Sequence, residues 1–194
     1  MVIDIFAVLH GDKINTQSND AKIVANPPMS EKGLIEVHDV IPAIAALRPF
    51  HFVFSSRLAR ANDTASAICI PLDLNWQTHE LLGQHGSLQN GESVLYPGYE
   101  HESYPEWLEN TEKFLSWIGK TGMRYRTPSM KILIFTHRPI VACLLGIASR
   151  KSSIPDDIVP EDIMMIARGK EITQKRLYHF VLNTDTELLT HVNG

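Results

Sequence analysis

The chain has 194 residues, of which 44% are hydrophobic and 21% charged, and a formal net charge of −4. A chain of this length can bury about 70% of its unfolded surface in one globular domain, here expected over residues 1–194. The acidic balance excludes a general nucleic-acid binder, and no apolar stretch is long enough to span a bilayer, so neither nucleic acid nor membrane is expected as a partner. Val2 to Leu9 (VIDIFAVL) is a strand candidate that stops at His10 and Gly11. A polar stretch, Gly11 to Ala25, ends at Pro27 and Pro28. Ser30 reads as an N-cap, and Glu31 to Leu47 carries apolar residues at helical spacing. His51 to Phe54 predicts a second strand, and Arg57 to Ile70 a second helix.

Gly83 to Pro105 is glycine-rich and polar, and is read as a surface loop or lid. Glu106 to Ile118 has a helical apolar stripe. Lys131 to Thr136 predicts a third strand, ending at His137. Pro139 suits the first position of a helix running to about Ser149. A loop over Lys151 to Pro160, a short helix over Glu161 to Ala167, and late strands over Arg176 to Leu182 and Glu187 to Val192 complete the chain. Strand and helix alternate, which predicts a three-layer α/β/α sandwich on a mainly parallel sheet. Cys69 and Cys143 lie in apolar segments and are read as buried free thiols; together with an N-terminus unlike a signal peptide, they lead us to expect a cytoplasmic protein.

In such sheets the ligand crevice lies at the carboxyl ends of the strands. His10 and His137 are both delivered there. The second strand runs into Ser55, Ser56, Arg57 and Arg60, and the third into His137 and Arg138. Cations at a helix start oppose the helix dipole, and a bound anion resolves the conflict. Imidazoles, guanidinium groups and hydroxyls at one edge suit phosphoryl chemistry, with an imidazole as nucleophile and a carboxylic acid for the leaving oxygen.

These residues resemble the histidine phosphatase superfamily, the phosphoglycerate mutase-like proteins. Its Arg-His-Gly motif is similar to Leu9-His10-Gly11, and its Leu-Thr-x-x-Gly segment to Met29-Ser30-Glu31-Lys32-Gly33. Its Ser-Ser-x-x-x-Arg-x-x-x-Thr-Ala block is matched by Ser55, Ser56, Arg60, Thr64 and Ala65, and its second histidine by His137. The resemblance implies a phosphomonoester or phosphohistidine hydrolase. His10 would be the nucleophile, Arg60 and His137 would be phosphoryl ligands, and Glu80 the acid, with Asp12 and Glu92 as substitutes. Gly11, Ser56, Arg57 and Arg138 are the further phosphate-binding candidates. The implied partner is a small phosphorylated substrate. No cofactor or metal is implied, and no oligomeric state is written in the sequence.

The departure is Leu9, where the family has arginine. Losing one preorganised charge donor costs about 3 kcal/mol, roughly a hundredfold in rate. Arg138 and Arg57 are the expected compensating charges. The alternative is a weak or inactive relative that binds a phosphorylated metabolite or partner without turnover. A zinc hydrolase fits poorly, because His79-Glu80 and His85 lack the spacing that puts two ligands on one helix face.

Overall fold

The computed structural model describes residues 1–14, 26–83, 87–89, 92–94, 104–149 and 176–192. Its elements in order are β1 (Val2–Leu9), α1 (Glu31–His38), α2 (Ile41–Ala46), β2 (Phe52–Ser55), α3 (Ala59–Cys69), β3 (Gln77–Thr78), a 3-10 turn (Glu80–Leu82), β4 (Ser87–Gln89) and β5 (Glu92–Val94). There follow α4 (Tyr104–Tyr125), β6 (Ser129–Thr136), α5 (Arg138–Ser149), β7 (Leu177–Asn183) and β8 (Leu188–Val192). Six strands form one sheet in the order β3-β2-β6-β1-β7-β8. β3, β2, β6 and β1 run parallel, while β7 and β8 are antiparallel additions at one side.

The central strands β1 and β6 are covered on both faces, which is why they read as near-continuous apolar runs rather than alternating ones. Ile3, Ile5, Ala7 and Leu9 join Ile132, Ile134 and Phe180 in a cluster that takes in Phe114 and Ile118 of α4 and Val141 and Leu144 of α5. Phe6, Val8, Leu133 and Phe135 face the other way, onto Val37, Ile44 and Ile68 of α1, α2 and α3. The three-layer α/β/α expectation therefore holds. Both cysteines are free and buried, and burial pushes the Cys69 thiol up to about 12.

Several boundaries differ from the sequence reading. The helix expected over residues 31–47 is two helices, α1 and α2, with Pro42 in the first turn of the second. Proline has no N–H to continue the ladder, so the break falls just upstream of it. The helix expected to end at Ile118 runs on to Tyr125. Gly122 within it is not a stop: a Cβ there would lie 2.3 Å from Met1 Cε, so the glycine admits a close neighbour. The stretch read as a loop after Gly83 contains the antiparallel β4–β5 pair. The 161–167 helix, the 151–160 loop, and most of the polar stretch up to Ala25 lie outside the described residues. Among the described residues no helix is long and apolar enough to cross a membrane.

Candidate active site

β1 and β6 are parallel neighbours with Leu9 opposite Thr136, so the next residue of each strand leaves the sheet at the same edge. Those residues are His10 and His137, and their ring centroids are 5.0 Å apart. His10 is half-buried and His137 fully buried. β2, on the far side of β6, ends at the same edge and delivers Ser56, whose Oγ lies 2.9 Å from His137 Nε2. Arg60, 2% exposed, enters from the first turn of α3, and its Nε–H donates to His10 Nε2 at 3.2 Å. His10 Nδ1 lies 2.7 Å from the Gly11 carbonyl. A carbonyl can only accept, so the ring proton sits on Nδ1 and the lone pair on Nε2, facing Arg60.

Burial, then Arg60, and more weakly Arg138 and Arg176, push the His10 pKa down to about 3, against the raising effect of the Gly11 carbonyl. The imidazole is therefore neutral at ordinary pH, as a nucleophile must be. Thr64 ties the pieces together. Its Oγ1 donates to the Arg60 carbonyl at 2.7 Å and accepts the Gly11 N–H at 3.0 Å. Gly11 thus spends its N–H on Thr64. The glycine itself is required by close packing, since a Cβ would lie 2.6 Å from the Gly33 carbonyl oxygen.

The remaining candidates lie further out. Arg138 opens α5 and is exposed, with its charge felt at His10. Arg57 is not in the first turn of α3, which begins at Ala59. The Ser56 hydroxyl accepts the Leu58 N–H at 3.2 Å, and Asn26 Oδ1 accepts the Ala59 N–H at 2.9 Å. The helix start is therefore capped by a side chain from distant sequence, which delays it past Arg57. Arg57 reaches Glu80 at 4.0 Å, and both are largely exposed. Glu80 follows β3, parallel to β2, and so lies toward the same edge as His10 and His137. Asp12 is engaged by Lys32 at 3.4 Å. The Glu92 side chain lies outside the described residues.

Three residues escaped the sequence reading. Arg176, just before β7, donates through Nη1 to the His10 carbonyl at 2.7 Å and ion-pairs with Glu36 of α1. Lys13 is half-buried, and burial followed by Arg60 holds its ammonium below the usual lysine range while Asp12 opposes them. Arg176 lies 166 residues from His10 in the chain, so no local pattern could have paired them. Among the described residues no group of three or more His, Cys, Asp or Glu could hold a metal ion.

The structure thus brings two imidazoles and a buried arginine together at the carboxyl edge of the parallel strands. The family model for the histidine phosphatase superfamily (branch 1) matches residues 5–86, the stretch that carries His10, the serine pair, Arg60, Thr64 and Glu80. The resemblance read from those motifs is borne out over that stretch, and the phosphoglycerate mutase-like fold extends over the whole chain. Phosphoglycerate mutase from Bacillus anthracis superposes with a TM-score of 0.67 at 13% identity, covering 100% of this chain and 92% of its own. Mycobacterial glucosyl-3-phosphoglycerate phosphatase gives 0.63 at 12%, covering 98% and 97%. A mutant phosphoserine phosphatase from Entamoeba histolytica, solved with phosphoserine, gives 0.62 at 12%, covering 98% and 95%. At these identities the likeness is one of fold. No curated protein sequence matches the chain.

Proposed function

We propose that the chain is a phosphatase that hydrolyses a small phosphomonoester, or a phosphohistidine, through a phosphohistidine on His10. The observation that carries this is the neutral His10 ring, with its Nε2 lone pair held toward Arg60 and a second imidazole 5.0 Å away. In the first step Nε2 attacks phosphorus, the ester P–O bond breaks, and Glu80 gives its proton to the leaving oxygen. Nδ1 keeps its proton, which it donates in a hydrogen bond to the Gly11 carbonyl. Arg60 turns its N–H from Nε2 to the phosphoryl oxygens, where His137, Ser56 and Arg138 also bear on the developing charge. In the second step water attacks phosphorus and gives its proton to Glu80. The P–N bond breaks, and its electron pair returns to Nε2.

Leu9 is 4% exposed and packed in the core, so the position of the family's arginine carries no charge. Arg138 is the compensating cation in this reading. Arg57, paired with Glu80, instead holds the acid at the rim. Leu9 also favours hydrolysis over a mutase reaction, because a mutase must retain the phosphorylated intermediate in a strongly cationic pocket. The test is incubation with a radiolabelled aryl phosphate while acid-labile label on the protein is followed. Label in the parent and none in His10→Ala is expected. Tight phosphate binding without label would favour a binding module that has lost turnover. If Arg138→Ala and Leu9→Arg act independently on turnover, the compensation by Arg138 fails.

A further inference from the structure

The two peptide groups after His10 are each held at both ends. In the His10–Gly11 peptide, the carbonyl accepts from Arg176 Nη1 at 2.7 Å and the N–H donates to Thr64 Oγ1 at 3.0 Å. In the Gly11–Asp12 peptide, the carbonyl takes the His10 ring N–H at 2.7 Å and the N–H donates to Glu36 Oε2 at 3.2 Å. Arg176 and Glu36 are themselves ion-paired, so the two outer grips close on each other. Both side chains are about three-quarters buried, where salt screens a pair less than at the surface. Arg176 is held in turn by its own carbonyl, which accepts the Leu9 N–H at 2.9 Å, and Lys32 flanks Glu36 at 3.7 Å.

We propose that Arg176 and Glu36 are a positioning pair that aims the His10 ring, an inference that rests on the reading of His10 as nucleophile. The aim of Nε2 is set by the Nδ1–H bond to the Gly11 carbonyl. The orientation of that carbonyl is set by its own peptide plane, whose N–H is in the hand of Glu36. Arg176 fixes the preceding plane and holds Glu36 in place. Neither residue touches the reacting atoms. Arg176 also puts a positive charge behind the His10 carbonyl, at the strand end where Leu9 supplies none. The other charged or titratable groups bearing on the ring are Arg60 from α3, His137 from the end of β6 and Arg138 from α5.

The test uses the full chain with para-nitrophenyl phosphate and the variants Arg176→Gln, Arg176→Lys and Glu36→Ala. A misplaced reacting group costs up to about a hundredfold, so kcat should fall about 10- to 100-fold in Arg176→Gln and Glu36→Ala while KM stays within about threefold. Arg176→Lys keeps the charge and one donor, and should recover part of kcat. The ring is read independently by 15N shifts of the His10 imidazole. A single Nδ1–H tautomer is expected in the parent and a mixture in Glu36→Ala. The protonation midpoint should move up in Arg176→Gln and return toward the parent value in Arg176→Lys. Unchanged kcat in the folded variants overturns the pair, as do an unchanged tautomer and midpoint. If the parent itself shows no turnover dependent on His10, the phosphatase reading fails, and the imidazole shifts alone still decide whether Arg176 and Glu36 set the ring. If Arg176→Gln does not fold, Arg176→Lys and Glu36→Ala carry the same comparison.

Discussion

Gly11 has no room for a methyl group. A Cβ there would lie 2.6 Å from the Gly33 carbonyl oxygen and 2.9 Å from its carbon, and one on Gly33 would lie 2.3 Å from the Asp12 carbonyl oxygen. The Met29 side chain also crowds both positions and can change rotamer, but the Gly33 and Asp12 obstacles are backbone atoms that cannot. Gly11→Ala should therefore lower stability by about 1–3 kcal/mol, the usual cost of overpacking, and abolish aryl phosphate turnover by displacing His10. Urea melts and kcat measured on one preparation check both. His10 adds a pH effect. Below pH 6.5 the unfolded chain's imidazole takes up a proton, while the folded one does not until about pH 3. The unfolded state binds more protons in that window, so acid favours it. The contribution of neutral His10 is whole above 6.5 and is lost progressively toward 3. The urea midpoint of the parent should drop more between about pH 7 and about pH 5 than that of His10→Gln; equal drops would sink the assignment.

At the scale of elements, the site hangs on strand ends and one capped turn. Ser30 caps α1 by accepting the Gly33 N–H at 3.0 Å, and its hydroxyl donates to the Asp12 carbonyl at 3.1 Å. One side chain thus fastens the helix start to the segment after His10. Ser30→Ala should cost about 1 kcal/mol, as N-cap losses do, and should reduce kcat more than KM because the tether to Asp12 weakens. Thermal melts with steady-state kinetics would show it; a stability loss with unchanged kcat would make the cap purely structural. Strand ends of this kind were legible in the sequence because an apolar run stopping at a histidine is a local pattern. The start of α3 was not: its cap is Asn26, from 33 residues upstream, so Arg57 was wrongly placed in the helix. β3 was missed because two residues carry no periodicity. The serine pair, Arg60 and Thr64 were readable as a block, whereas Arg176 and Glu36 were not, since they meet through the order of strands in the sheet.

For the whole molecule, charge is distributed against its sum. The chain carries a formal net charge of −4, yet the carboxyl edge of its sheet gathers Arg60 and Arg138, beside Arg57 and Arg176, which are paired with Glu80 and Glu36. A dianionic phosphomonoester is repelled weakly by the dispersed net charge and attracted by the clustered cations as it nears the edge. Arg138 is exposed and opens α5 beside His137, so under the proposed function it would act on the approaching anion through water and be sensitive to salt. Arg60 is buried and under the same proposal would act after entry. Raising ionic strength should therefore lower kcat/KM for an aryl phosphate by at least about threefold, with little change in kcat, since steering acts on encounter rather than on the bound state. Arg138→Gln should lower kcat/KM at low salt and flatten its salt dependence, whereas Arg60→Gln should depress kcat at every salt concentration. A kcat/KM that rises with salt in the parent would mean that net repulsion governs approach, and the exposed arginine would then have no part in capturing substrate.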